Sequence, residues 1–179
     1  MIKADLSRMH KFDIILVSGL PCSGKTYVAR EVFMSEGRKR ISRKEIRRFV
    51  YEMTSFGEKW SEQLFTAVNE HFVKHTERKM IEHLLTNGEK IVIVNSSVTS
   101  DSRKGYIAIA ERMRKTLGVI FVDTDIRGCL KRNRVLKDPI PESIISKLAA
   151  QKTLPDKREK FNSIVILTDS DLDLDDVQL

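Results

Sequence analysis

Residues 19 to 26 read Gly19-Leu20-Pro21-Cys22-Ser23-Gly24-Lys25-Thr26. Two glycines five positions apart, followed by lysine and threonine, have the spacing of a loop that wraps phosphate. Gly19 and Gly24 let the backbone turn tightly, so that successive N–H groups converge on anionic oxygens. Lys25 is a point charge for the β- and γ-phosphates, and the Thr26 hydroxyl is a natural ligand for Mg²⁺. Pro21, Cys22 and Ser23 fill the variable positions of the same loop. The apolar run Ile14-Ile15-Leu16-Val17 before it and the helical pattern from Tyr27 after it are the strand and helix that such a loop requires. The start of that helix adds its positive end. The spacing therefore predicts ATP with Mg²⁺ at residues 19–26.

Phosphoryl transfer also needs cations over the transferred group and a group that orients the accepting hydroxyl. Arg132 and Arg134, flanked by Lys131 and Lys137, lie on a short basic helix before Pro139, where a lid could close on the nucleotide. Between Arg38 and Arg48, seven of eleven residues are basic. Asp123 and Asp125 follow a strand and are spare carboxylates near the loop. His71 and His75 share a helix face, but Phe72 stands where a zinc-peptidase helix needs glutamate, so a solvated or capping role is preferred.

The elements that must position these groups follow from the apolar periodicity. Short runs ending near Ile41, and at Ile91–Val94, Val119–Val122 and Ser163–Leu167, read as further strands. Ser42 caps a helix, with Glu45 completing a capping box and Ile46, Phe49, Val50 and Met53 as its apolar face. Trp60, Leu64, Val68, Phe72, Met80, Ile81, Leu84 and Leu85 predict one long amphipathic helix, stopped by Asn87-Gly88. Further helices are expected over Asp101–Leu117, closed by Gly118, and over Arg127–Leu136 and Glu142–Ala150. Strands alternating with helices predict a mainly parallel sheet covered on both faces, an α/β fold of three α/β/α layers with ligands at the carboxyl ends of the strands. Residues 1–12 are expected to be an N-terminal extension, 13–168 one domain, and 169–179 a frayed acidic tail.

The chain has 179 residues, enough for one domain with a three-layer core. Neither a signal-peptide pattern nor a membrane-length apolar run occurs, so a cytoplasmic protein without a membrane partner is expected. Two cysteines, Cys22 and Cys129, make no disulfide framework and have no metal-ligand spacing. The net charge is +7 although five aspartates crowd the last eleven residues. A body that basic favours polyanionic partners.

With these motifs in order, the chain resembles the kinase domain of polynucleotide 5′-hydroxyl kinases, a P-loop NTPase fold with a helical lid. The likeness rests on Gly19 to Thr26, Ile41-Ser42-Arg43-Lys44-Glu45-Ile46-Arg47, Val94-Asn95-Ser96-Ser97 with Arg103, and Lys131-Arg132-Asn133-Arg134. It implies a kinase that moves the γ-phosphate of ATP to a hydroxyl of a nucleic acid, with Lys25 and Thr26 serving the phosphates and Mg²⁺. Arg47 matches the arginine that holds the acceptor's 3′-phosphate, and Arg132 matches the lid arginine.

Two departures stand out. Lys44 occupies the position of the family's general-base aspartate, and a cationic lysine cannot serve as that base. Glu45 is the adjacent carboxylate that could take over, although helix geometry swings it by about 100°. Asn95 replaces an aspartate at the end of its strand. Three readings stay open at this level: a nucleic-acid kinase with Arg38, Lys39, Arg40, Arg43 and Arg47 along the polyanion path, a non-catalytic nucleotide- and nucleic-acid-binding module, and a kinase for a small-molecule or modified-base hydroxyl.

Overall fold

A computed structural model describes residues 2–67 and 69–172. Five parallel strands, β1 (Ile14–Gly19), β2 (Lys39–Ser42), β3 (Ile91–Val94), β4 (Leu117–Asp123) and β5 (Ser163–Thr168), form one sheet in the order β2-β3-β1-β4-β5. The central strand β1 is flanked on both sides, with Leu16 opposite Ile93 of β3 and Val119 of β4. Because both faces of β1 are covered, all six of its residues are buried, and the strand reads as an unbroken apolar run.

Alternate side chains of that run feed separate cores. Ile15 and Val17 pack with Val28, Ala29 and Phe33 of α1 (Lys25–Phe33) on one face. Ile14 and Leu16 pack on the other with α2 (Arg43–Thr54), α3 (Glu70–Thr86) and α4 (Ser100–Met113). Each such side chain contributes about 1.5–3 kcal/mol on burial. Two shorter helices, α5 (Ile126–Arg134) and α6 (Glu142–Gln151), close the carboxyl end of the sheet through Cys129, Ile145, Leu20 and Val98.

Several expectations are corrected here. The long helix from Trp60 does not form: Glu62–Ala67 is a 3-10 helix, and α3 begins at Glu70, capped by Asn69, whose side-chain oxygen accepts from the N–H groups of His71 and Phe72. Val68 lies outside the described residues. The competing signal was the cap, which outweighs apolar spacing at a helix start. Leu117 and Gly118 belong to β4, since Arg114 ends α4 in the left-handed conformation. Phe49 and Met53 are 62% and 55% exposed and do not form the inner face of α2, which is Ile46 and Val50. Ser42 accepts from the N–H of Glu45, but the Glu45 carboxylate pairs with Arg40 and does not complete a capping box.

The N-terminal extension is part of the core. Leu6, Met9 and Phe12 are buried against the sheet, and a side chain on Gly118 would come within 2.8 Å of both Met9 and Phe12. The start of the acidic tail also joins the fold: Asp169–Asp171 form a 3-10 helix, and Leu172 makes a bridge to Ile2. Residues 173–179 lie outside the described residues.

Candidate active site

The phosphate loop is built by its backbone. Gly19 sits at φ +145°, where a side chain would run into the Val122 carbonyl and approach Ser23 Oγ to 2.9 Å. Gly24 takes φ +102° as the cap of α1, and Cys22 also has positive φ. Thr124 Oγ1 donates to the Ser23 carbonyl at 2.9 Å, which ties the loop to the end of β4. Ser23 Oγ and Ser97 Oγ are buried with no hydrogen-bond partner among the described residues, and Ser97 also lines the cavity next to the loop.

Lys25 is 9% exposed, and its ammonium donates to the Leu20 carbonyl of its own loop. Burial lowers its pKa to about 8. A cationic lysine held in such a dry place is poised for an anion that returns the lost solvation. Cys22 and Cys129 are both pushed up by burial, Cys129 to about 11, so neither is a thiolate nucleophile near neutral pH.

The loop opens into a cleft of about 640 Å³ at the carboxyl ends of β1, β2 and β3. Pro21, Cys22, Lys25 and Thr26 form one wall, and Arg43, Lys44, Arg47, Glu62, Glu70 and Lys74 the other. Asn95, Ser96 and Ser97 lie between them at the end of β3. That end is clamped: Ser18 Oγ donates to the carbonyls of Ser96 and Ser97 at 2.9 Å, and Arg103, fully buried, donates to the Ser97 carbonyl at 3.2 Å. Ser97 holds φ at +34°, a conformation that the surrounding bonds impose on a residue with a side chain.

Arg103 therefore acts through the backbone. Its guanidinium is saturated by Glu159, at 2.6 and 2.8 Å, and by the carbonyls of Ser97 and Thr153. Asn95 is likewise held: its Nδ2 donates to Tyr106 Oη at 2.6 Å and its Oδ1 accepts from the Ser96 N–H at 2.7 Å. Tyr106 in turn donates to Glu77, which also takes the Arg43 guanidinium. This buried network fixes Arg43 and leaves its charge compensated.

The structure brings some of the predicted residues together and separates others. Lys25, Thr26, Pro21, Cys22 and Arg47 line the cleft; Glu45, paired with Arg40 at 2.7 Å and exposed, does not. Arg132 reaches the loop, with Nη1 donating to the Cys22 carbonyl at 3.1 Å and Nη2 3.5 Å from Asp169. Arg134 turns outward to Glu142. Arg38 is buried among the carbonyls of His10 and Phe12 and pairs with Glu36 at 2.6 Å, so it belongs to the fold and not to a polyanion path. Asp123 pairs with Lys152, and Asp125 caps α5.

The cleft carboxylates that sequence reasoning missed are Glu62 and Glu70. Glu70 pairs with Arg47. Glu62 is 4% exposed, pairs with Lys44 at 3.1 Å, and faces the loop closely enough for its charge and that of Lys44 to act on Cys22. The 3-10 helix that carries it hides from periodicity, since Glu62 follows the polar stretch after α2. Its segment is bolted to the lid: Asp138 accepts from Ser61 Oγ at 2.9 Å and from the Glu62 N–H at 2.8 Å.

Thr26, exposed at the first turn of α1 and lining the cleft, offers a hard hydroxyl oxygen that would suit the oxygen-only, few-protein-ligand habit of Mg²⁺.

A family model described as an AAA domain, AAA_33, matches residues 14–153. Solved structures share the fold at low identity. A sugar kinase from Janibacter sp. HTCC2649 superposes with a TM-score of 0.61 at 14% identity, over 87% of this chain and 84% of that one. Kti12 of Chaetomium thermophilum in complex with ADP-AlF3 gives 0.58 at 17% identity, over 87% and 88%. A chain of the Pnkp1/Rnl/Hen1 RNA repair complex gives 0.60 at 20% identity, over 77% of this chain and 43% of that one. With the model matched over most of its length and the three-layer sheet in place, the chain belongs to the AAA_33 family, built on the P-loop kinase fold.

Proposed function

We propose that the protein is an ATP-dependent kinase that transfers the γ-phosphate to a hydroxyl at the end of a nucleic-acid strand. The observation that carries this reading is the cleft itself, in which the phosphate loop faces the Lys44–Glu62 and Arg47–Glu70 pairs across one cavity. Lys25 gives up its internal carbonyl partner to bind the β- and γ-phosphates, and Arg132, already against the loop, covers the transferred group. Mg²⁺ bound at Thr26 supplies neutralisation of the charge on the phosphoryl oxygens.

The acceptor oxygen attacks the γ-phosphorus as the bond to the β–γ bridging oxygen breaks, and ADP leaves. Glu62 takes the hydroxyl proton, in place of the aspartate that Lys44 replaces. Lys44 holds the Glu62 carboxylate in place through their 3.1 Å ion pair, while Arg47 holds a phosphate of the acceptor. Positioning carries most of the rate in such a loose transition state, so a displaced base is compatible with turnover. The basic net charge and the neighbour in an RNA repair complex support the nucleic-acid acceptor.

A second reading, a kinase for a small polyhydroxy substrate, is favoured by the alternation of cations and carboxylates around the cleft, by the withdrawal of Arg38 into the fold, and by the likeness to a sugar kinase. Labelled ATP with 5′-hydroxyl DNA and RNA oligonucleotides at low salt, beside a panel of sugars and polyols, tests both. Label on an oligonucleotide supports the first reading, label on a polyol alone the second. Binding of ATP and oligonucleotide without transfer or hydrolysis replaces both with a non-catalytic module.

A further inference from the structure

The cleft does not end at Lys74. A second cavity of about 360 Å³ shares Arg43, Lys74 and Ser102 with it, and a third of about 450 Å³ shares His75 and Arg78 with the second. Together they form a trench between α3 and α4, running from the acceptor wall to Arg112. We propose that this trench binds the phosphate backbone of a single-stranded nucleic acid whose end lies in the cleft. This inference rests on the nucleic-acid reading above and adds the path of the strand.

Three independent features of the trench point to that ligand. First, His71, Lys74, His75 and Arg78 are spaced i, i+3, i+4 and i+7 on α3, one exposed stripe about 10 Å long, the span of about three stacked nucleotides. Secondly, the stripe has a surplus of positive charge. Lys74 makes no ion pair among the described residues. Further along, Arg78, Lys79 and Arg112 share the single carboxylate of Glu82. The other acidic groups on the trench are engaged, Glu77 with Arg43 and Asp101 with Lys104 at 2.6 Å. His71 and His75 add flat rings on which unpaired bases stack.

Thirdly, Gly105 lies on the trench in the interior of α4, where glycine costs about 1 kcal/mol relative to alanine. A side chain there would meet nothing within 4 Å, so packing does not require the glycine. Its lack of a side chain keeps the trench floor open for a ligand to approach the helix backbone. Basic residues are densest in the sequence over Arg38–Arg48. That segment is largely neutralised by its own partners, and the uncompensated cations are on α3.

Two variants separate charge from space: the double charge reversal Arg78→Glu with Lys79→Glu, and Gly105→Phe, which fills the trench without altering charge. KM is measured for 5′-hydroxyl acceptors of two, five and ten nucleotides, with fluorescence anisotropy of a ten-nucleotide strand across a salt series and thermal melting to verify folding. The wild type is expected to gain affinity with acceptor length. Each variant should lose that gain by about tenfold or more, and the charge reversal should also flatten the salt dependence by about 0.7 in log–log slope for each phosphate contact removed.

Folded variants with the wild-type length dependence would overturn the trench and leave the kinase reading intact. Should the wild type transfer phosphate to no oligonucleotide, the kinase reading falls, and anisotropy decides the trench separately. Weakened binding in both variants then supports it; wild-type binding no tighter than that of an acidic peptide of equal charge overturns it.

Discussion

Lys44 Nζ stands 3.1 Å from Glu62 Oε1, so the lysine of α2 is paired with a carboxylate from a different element. The pair faces the phosphate loop, and Glu62 is held in place from behind by Asp138 of the lid segment. A carboxylate from the 3-10 helix therefore stands beside the lysine of α2.

Replacing that carboxylate isolates its role. Glu62→Gln should lower transfer by about 10²–10⁴, the range for loss of a general base, with ATP affinity close to wild type. Glu45→Gln should leave transfer close to wild type, because Glu45 points to Arg40 outside the cleft. Rapid-quench measurement of the transfer step and calorimetric titration of ATP check the two arms.

Lys25 links nucleotide binding to pH. Burial lowers its pKa to about 8 in the folded protein, whereas the unfolded chain keeps the ordinary value near 10.5. Between those values the unfolded state holds the additional proton, so stability of the free protein rises with pH through this window. Below about pH 8 the cost of the buried charge is fully present, and Lys25→Met should raise stability at pH 7 by up to about 3 kcal/mol. Binding of ATP near pH 8.5 should take up protons, because the phosphates favour the charged lysine. Calorimetry in buffers of different ionisation enthalpy measures that uptake, and denaturation as a function of pH measures the first effect.

Arg38 separates the fold from the surface charge. Its guanidinium is buried and donates to the carbonyls of His10 and Phe12 as well as to Glu36. Arg38→Met should destabilise the protein by about 3–5 kcal/mol, since it leaves Glu36 and the carbonyls short of a partner. Lys39→Met, on an exposed pair with Glu89, should change stability by less than about 1 kcal/mol. Urea denaturation of the two variants provides the comparison.

Gly19→Ala tests the loop's backbone. The new methyl would collide with the Val122 carbonyl and crowd Ser23 at a φ that alanine avoids. Nucleotide affinity should fall about tenfold or more as the loop is displaced, a loss of about 1.4 kcal/mol. Equilibrium binding of a fluorescent ATP analogue reads it directly.

The phosphate loop and the strands were legible in the sequence because their requirements are local: glycine at a positive φ, and a continuous apolar run where β1 is covered on both faces. The Ser42 cap was legible for the same reason. What stayed hidden depends on distant partners. Arg38 looks like surface charge until β2 and the N-terminal segment enclose it. Phe49 and Met53 fit a helical stripe, yet no element among the described residues buries them. Glu62 and Glu70 had no motif, since only the tertiary fold brings them opposite the loop. Arg103 was recognised by position, but its work is to hold the Ser97 carbonyl.

The account stands on a triphosphate being gripped by the loop with Lys25 directed into it. Isothermal titration of Mg·ATP into the wild type and into Lys25→Ala tests this most directly. Saturable one-to-one binding by the wild type, weakened by about 10- to 100-fold in the variant as a charge-assisted hydrogen bond is lost, is the result the structure leads us to expect. No heat of binding in the wild type at saturating Mg·ATP, or equal affinity in the two proteins, would contradict it.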